Sequence, residues 1–210
     1  MDKKTKVEKI RQHFDDMYPD ADCTLDYKDA FQLLVATQLA AQCTDARVNL
    51  VTPALFRKYP DPAAFAAAEL IELEAMIHST GFYRNKAKNL KACGAMLTSE
   101  FGGKVPDTME NLLRLPGVGR KTANLLLGDI FVKPGIVVDT HAGRIARRIG
   151  LTKNENPTKV EFDLVKIVPP SYQTRFCHQL VLHGRTLCRA ARPLCKACPI
   201  SQYCDFYSSR

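Results

Sequence analysis

The sequence predicts an all-α fold made of two helical domains, and three observations carry that reading. Apolar residues recur at helical spacing along most of the 210 positions. Residues that cap helices stand just ahead of several of these stripes. Only Gly-Ile-Val-Val at 135–138 reads as extended, and it is too short to found a sheet.

Taken in order, Asp29 is placed to cap a helix carrying Phe31, Leu34, Val35 and Leu39. Asp61-Pro62 pairs a cap with proline at the first helical position and opens an alanine-rich run. Apolar residues at 71–77 continue it and stop near Gly81. Ala87, Leu90, Gly94 and Leu97 form the next stripe. Asp107 with Glu110 has the form of a capping box ahead of Leu112 and Leu113. Positions 122–131 are apolar and helical, and 140–149 basic and helical. Thr158 with Glu161 heads a run through Val165, and Phe176, Leu180 and Val181 mark a last long helix. Pro134-Gly135 is the clearest internal break, separating a bundle from a basic, cysteine-rich region.

Composition bounds the partners. No apolar run approaches the roughly 18 residues that a membrane helix needs. The opening MDKKTKVEKIRQHF is charged throughout, unlike a signal peptide, so a cytoplasmic protein is expected. The net charge of +8 favours a polyanionic partner, because neutralised phosphates release their counterions. Arg185, Arg189, Arg192 and Lys196 occupy a stretch without acidic residues, and Arg144, Arg147 and Arg148 share one side of a helix. Five of the eight cysteines fall between Cys177 and Cys204. In a reducing compartment Cys188, Cys195, Cys198 and Cys204 imply a metal centre rather than disulfides. Zinc is the rival that spacing leaves open, although only one Cys-x-x-Cys occurs. Cys23, Cys43, Cys93 and Cys177 read as core.

Pro116-Gly117-Val118-Gly119 joins two helices. Its glycines allow a tight turn and let another backbone approach. Amides at the start of the second helix then face outward beside the positive end of its dipole, which makes an anion site. A plain connection between helices is the alternative.

LPGVGRKTA followed by VVDTH resembles the helix-hairpin-helix and downstream aspartate of the endonuclease III family of DNA glycosylases. AQCTDARVN, GFYRNKAKNL, LHGRTLC and the cysteine tail extend the resemblance over nearly the whole chain. It implies a bifunctional enzyme that removes oxidised or ring-damaged pyrimidines from double-stranded DNA and then cuts the abasic strand by β-elimination. Lys121 is the implied nucleophile. An attacking amine must be uncharged, and bringing an ordinary lysine from about 10.4 to 7 costs about 4.6 kcal/mol. The helix start, Arg120 and partial burial are expected to push that way. Asp139 is the implied catalytic carboxylate, which also stands where a helix cap would.

The resemblance further implies a [4Fe–4S] cluster on Cys188, Cys195, Cys198 and Cys204, which tie down a basic loop. Gln42 would enter the duplex, and Phe82 would wedge it where the family often has leucine. Leu115, Gly117, Val118, Gly119, Arg120, His141, Arg144, Arg189, Arg192 and Lys196 would contact DNA, and Asp45 the base pocket. Ala40 stands where the family commonly has serine. The implied domains are a bundle at 22–134 and a cluster domain of 1–21 with 135–210, acting as a monomer in the cytoplasm with the nucleoid. Rival readings are a glycosylase without lyase activity, a hairpin module that only grips DNA, and a zinc-stabilised scaffold.

Overall fold

The protein's structure, a computed structural model, describes residues 1–209. In chain order the helices are α1 (Lys3–Met17), α2 (Ala30–Leu39), α3 (Asp45–Lys58), α4 (Pro62–Ala67), α5 (Leu70–Ile77) and α6 (Tyr83–Glu100). They continue as α7 (Met109–Arg114), α8 (Arg120–Asp129), α9 (Thr140–Ile149), α10 (Pro157–Val165), α11 (Gln173–Thr186) and α12 (Asp205–Ser208). No strand occurs among the described residues. The fold is all-α. Two compact units emerge, one of Cys23–Phe131 and one of Met1–Asp22 with the chain from Val132 onward.

In the Cys23–Phe131 unit, Asp29 and Asp61 cap α2 and α4 by accepting from the amides of Gln32 and Ala64. Each such cap contributes about 1 kcal/mol. The core is aliphatic and aromatic, with Leu33, Leu34, Leu39, Leu55, Phe65 and Leu90 essentially inaccessible. Gly94 lets α6 lie against α4, since a Cβ there would stand 2.6 Å from the Pro62 carbonyl oxygen. Helix α3, which is not among the helices expected from the sequence, carries Pro53 in its interior. Helix α7 starts one residue later than a cap at Asp107 implies, because Thr108 accepts from the Asn111 amide.

In the second unit, α1 packs Val7, Ile10 and Phe14 inward, and the Phe14 ring lies 6.0 Å from that of Phe176 on α11. Lys6, almost fully buried, donates to the Ile149 carbonyl at 2.9 Å and to Asp205 at 2.5 Å. It thereby ties α1 to the C-terminal end of α9, where a cation suits the helix dipole. Helix α10 is capped by Asn156, whose side chain accepts from the amides of Thr158 and Lys159. Pro157 fixes the first helical position and so places the cap just before it, rather than at Thr158. Residues 135–138 form no strand; the buried Val137 amide donates to the Cys177 sulfur at 3.2 Å.

Candidate active site and metal centre

The glycine turn forms a hairpin between α7 and α8. The Val118 amide donates to the Leu115 carbonyl, closing it. Leu115 and Val118 are 2% and 8% exposed, so their side chains anchor the hairpin in the core and only their backbone is available outside. Gly117 has φ +77°, and a Cβ there would lie 2.6 Å from the Gln38 amide oxygen and 3.0 Å from the Asn89 Cβ. Glycine is required by both conformation and space.

Gly119 differs. Its φ is an ordinary −107°, and a Cβ would meet nothing within 4 Å. Nothing inside the protein demands glycine here. As N-cap of α8 it brings no side chain to the first-turn amides, which leaves an uncapped helix start suited to an anion.

Lys121 is the second residue of α8. Ala123, Asn124, Leu126 and Leu127 form the buried face, and Lys121 lies off it, exposed. The partial burial expected from the sequence is therefore not a property of the free chain. Its position in the first turn, beside Arg120 and the positive end of the dipole, is as expected.

Two further residues in this unit have unusual backbones. Gln42 (φ +54°) and Phe82 (φ +48°) are non-glycine residues in the left-handed region, and both are exposed. Such conformations cost about 1–3 kcal/mol each and gather at functional sites. Phe82 is 63% exposed, an aromatic held outward at the start of α6. Asp45 opens α3 and accepts from the Thr24 hydroxyl at 2.5 Å. Ala40 lies at the C-terminal end of α2, in the turn leading to Gln42.

In the other unit, Asp139 caps α9: its Oδ1 accepts from the Ala142 amide at 2.7 Å. This engages one carboxylate oxygen and fixes the orientation of the group. His141 follows, half-buried against Gly184, with its Nδ1 3.2 Å from Arg144 Nη2. Arg144 Nη2 also donates to the carbonyls of Gly184 and Cys188. The Nη atoms of Arg144 are thus held by the protein, while its buried Nε has no hydrogen-bond partner.

The cysteine tail is wound from overlapping turns. The Leu194 amide closes the 188–194 loop on the Leu187 carbonyl, and further turns link Cys195 to Cys198 and Ser201 to Cys204. Arg148, a turn beyond Arg144 on α9, donates to the carbonyls of Arg189 and Ala190 at 2.8 and 2.7 Å. It also lies 3.5 Å from the Cys188 sulfur and 4.6 Å from the Phe206 ring centre. The sequence marks Arg148 as one of three arginines on a basic helix side, not as an anchor of this loop. Its only sequence signal is the four-residue spacing from Arg144. Arg189, Arg192 and Lys196 remain exposed on the loop and the turn that follows.

All four cysteines line one cavity of about 370 Å³, together with Arg148 and His183. Burial pushes the Cys198 thiol up to about 11 and raises Cys204 as well. A positive centre in the cavity would offset that penalty by stabilising thiolates. Cys93, by contrast, is a buried core thiol raised to about 11 by burial.

This fold and hairpin define a class of DNA repair protein. Residues 35–170 match the family model described as "HhH-GPD superfamily base excision DNA repair protein". Endonuclease III of Synechocystis sp. is 48% identical over 203 residues, covering 96% of this chain and 93% of that protein. The chain belongs to the endonuclease III family. Two solved structures are similar throughout, each 41% identical and covering 100% of this chain and 99% of theirs. One is a non-covalent Endonuclease III–DNA complex, with TM-score 0.93. The other is a trapped Endonuclease III–DNA covalent intermediate, with TM-score 0.94.

Proposed function

We propose that this chain is a bifunctional DNA glycosylase and abasic-site lyase that removes oxidised or ring-damaged pyrimidines from double-stranded DNA. The observation that carries the reading is Lys121 in the first turn of a helix whose N-cap, Gly119, presents no side chain and open space. A phosphate settling on the α8 amides brings a deoxyribose within the lysine's reach. DNA then covers the exposed amine.

The lysine nitrogen bonds to C1′ as the base departs with the glycosidic electron pair and takes a proton. Loss of one proton from the bonded nitrogen, and opening of the sugar ring as its oxygen leaves C1′ and takes a proton, give an iminium. Removal of a C2′ proton then expels the 3′ phosphate and breaks the strand. Asp139, fixed by its cap bond, is the carboxylate for the positive charge that develops on the sugar. Extruding the nucleotide costs a few kcal/mol of stacking and pairing. Gln42 and Phe82 fill the gap, Asp45 borders the base pocket, and the hairpin and the basic loop hold the backbone.

Cys188, Cys195, Cys198 and Cys204 would hold a [4Fe–4S] cluster, which supplies a covalent cross-link that shapes the loop of Arg189 and Arg192. The protein acts as a monomer on chromosomal DNA in the cytoplasm. No helix among the described residues is long and apolar enough to cross a membrane.

Borohydride added during turnover on lesion-bearing duplex tests the central step. A trapped protein–DNA adduct is expected from the wild type. Lys121→Ala should bind the same duplex and form none; an adduct of equal yield from that variant defeats the assignment.

A further inference from the structure

Lys86 lies one turn into α6, and its side chain is almost fully inside the protein. Its ammonium donates to two backbone carbonyls, Leu39 at 2.8 Å and Thr80 at 2.8 Å. These carbonyls belong to segments far apart in sequence. Leu39 is the last residue of α2, after which the chain turns through 40–43 and places Gln42 in the left-handed region. Thr80 ends the short turn before Gly81 and Phe82, and Phe82 is left-handed as well. One buried cation therefore bridges the roots of both strained residues.

The Phe82 segment is otherwise closed on itself. The Thr80 hydroxyl donates to the Ile77 carbonyl, the Gly81 amide donates to the His78 carbonyl, and the rings of His78 and Tyr83 meet at a tilt with centres 4.4 Å apart. The Gln42 turn is closed by the Cys43 amide on the Ala40 carbonyl. Each loop is locally stiff. The side chain of Lys86 bridges them. The negative end of the α2 dipole adds to the attraction for the ammonium. Burial draws the lysine's pKa down from its ordinary value, so keeping a cation here costs free energy that an apolar residue would not.

We infer that Lys86 is a positioning residue for base extrusion, holding Gln42 and Phe82 at a set separation so that both enter the duplex together. This rests on the proposed roles of Gln42 and Phe82 as the side chains that replace the extruded nucleotide. Lys86 touches no reacting atom. It acts through the two carbonyls and makes the pair of insertions a single event.

The test compares two substrates under single-turnover conditions. One is a duplex with 5-hydroxycytosine opposite guanine, where a paired and stacked base must leave the helix. The other is a duplex with a preformed abasic site, which has no base to unstack. Lys86→Met keeps the length and removes the donors. Its base release from the first duplex is expected to fall about tenfold or more, while borohydride trapping at the abasic site stays within about twofold. An equal fall on both substrates, or no fall on either, overturns the inference, because a merely structural lysine would not alter their ratio. If Lys86→Met does not fold, the same ratio is read in Lys86→Gln, whose amide keeps donors but is too short to serve both carbonyls. A wild type that released no base and formed no adduct would instead refute the glycosylase reading itself.

Discussion

Gly117 and Gln38 approach so closely that a methyl group on the glycine would stand 2.6 Å from the glutamine's amide oxygen. Gly119, two residues on, has open space where its methyl would go. The two glycines of the hairpin thus answer to different neighbours. Gly117→Ala should destabilise the protein by about 1–3 kcal/mol through overpacking and the left-handed angle. Gly119→Ala should leave the melting temperature nearly unchanged and weaken binding to undamaged duplex. Equal melting losses in both variants would contradict this division.

Asp139→Asn preserves a good helix cap, since asparagine and aspartate cap about equally well. Thermal stability should therefore change little, while single-turnover base release falls by about 10² to 10⁴. Near-normal turnover would leave Asp139 with capping as its whole role.

The cysteine cavity predicts what metal analysis will find. Protein purified without oxygen should contain iron and acid-labile sulfide in equal amounts and absorb in the visible. Stoichiometric zinc without sulfide would refute the cluster assignment. Arg148→Met should keep the metal but free the 188–194 loop, weakening duplex binding and reducing its salt dependence.

Asp15 sets an acid limit on the unit built from both chain ends. Burial pushes its carboxyl up, but hydrogen bonds from Gln179 and Arg175, with the charge of Arg175, outweigh that and hold it below the ordinary value. A carboxyl lowered by folding stabilises the protein above its unfolded value and loses that contribution as pH falls through the folded one. Wild type should melt above Asp15→Asn at neutral pH, and the gap should close as pH falls through and below the ordinary carboxyl range. A gap that persisted at the acid end would show that the carboxyl is not lowered.

What could be read from the sequence was what is local. The hairpin, Lys121 behind it, the aspartate ahead of α9 and the clustered cysteines all lie within short stretches whose chemistry is set by spacing. The exposed setting of Lys121 was not legible, because it depends on which face of α8 packs inward. Arg148 was read only as part of a basic stripe, since its carbonyl acceptors lie more than forty positions further along. Lys86 drew no notice for the same reason: its Leu39 partner is 47 positions away. The cap positions at Thr108 and Asn156 differ by one or two residues from those expected, a shift that neighbouring prolines and threonines decide.

Lys6 and Asp205 come from opposite ends of the polypeptide, yet they share a hydrogen bond. During synthesis α1 therefore leaves the ribosome with its docking surface still unmade, while every residue of the Cys23–Phe131 bundle emerges before the tail is translated. Assembly then runs outward from the middle of the chain. The N-terminal helix waits for the last residues, and the clustered cysteines emerge when the hairpin is already built.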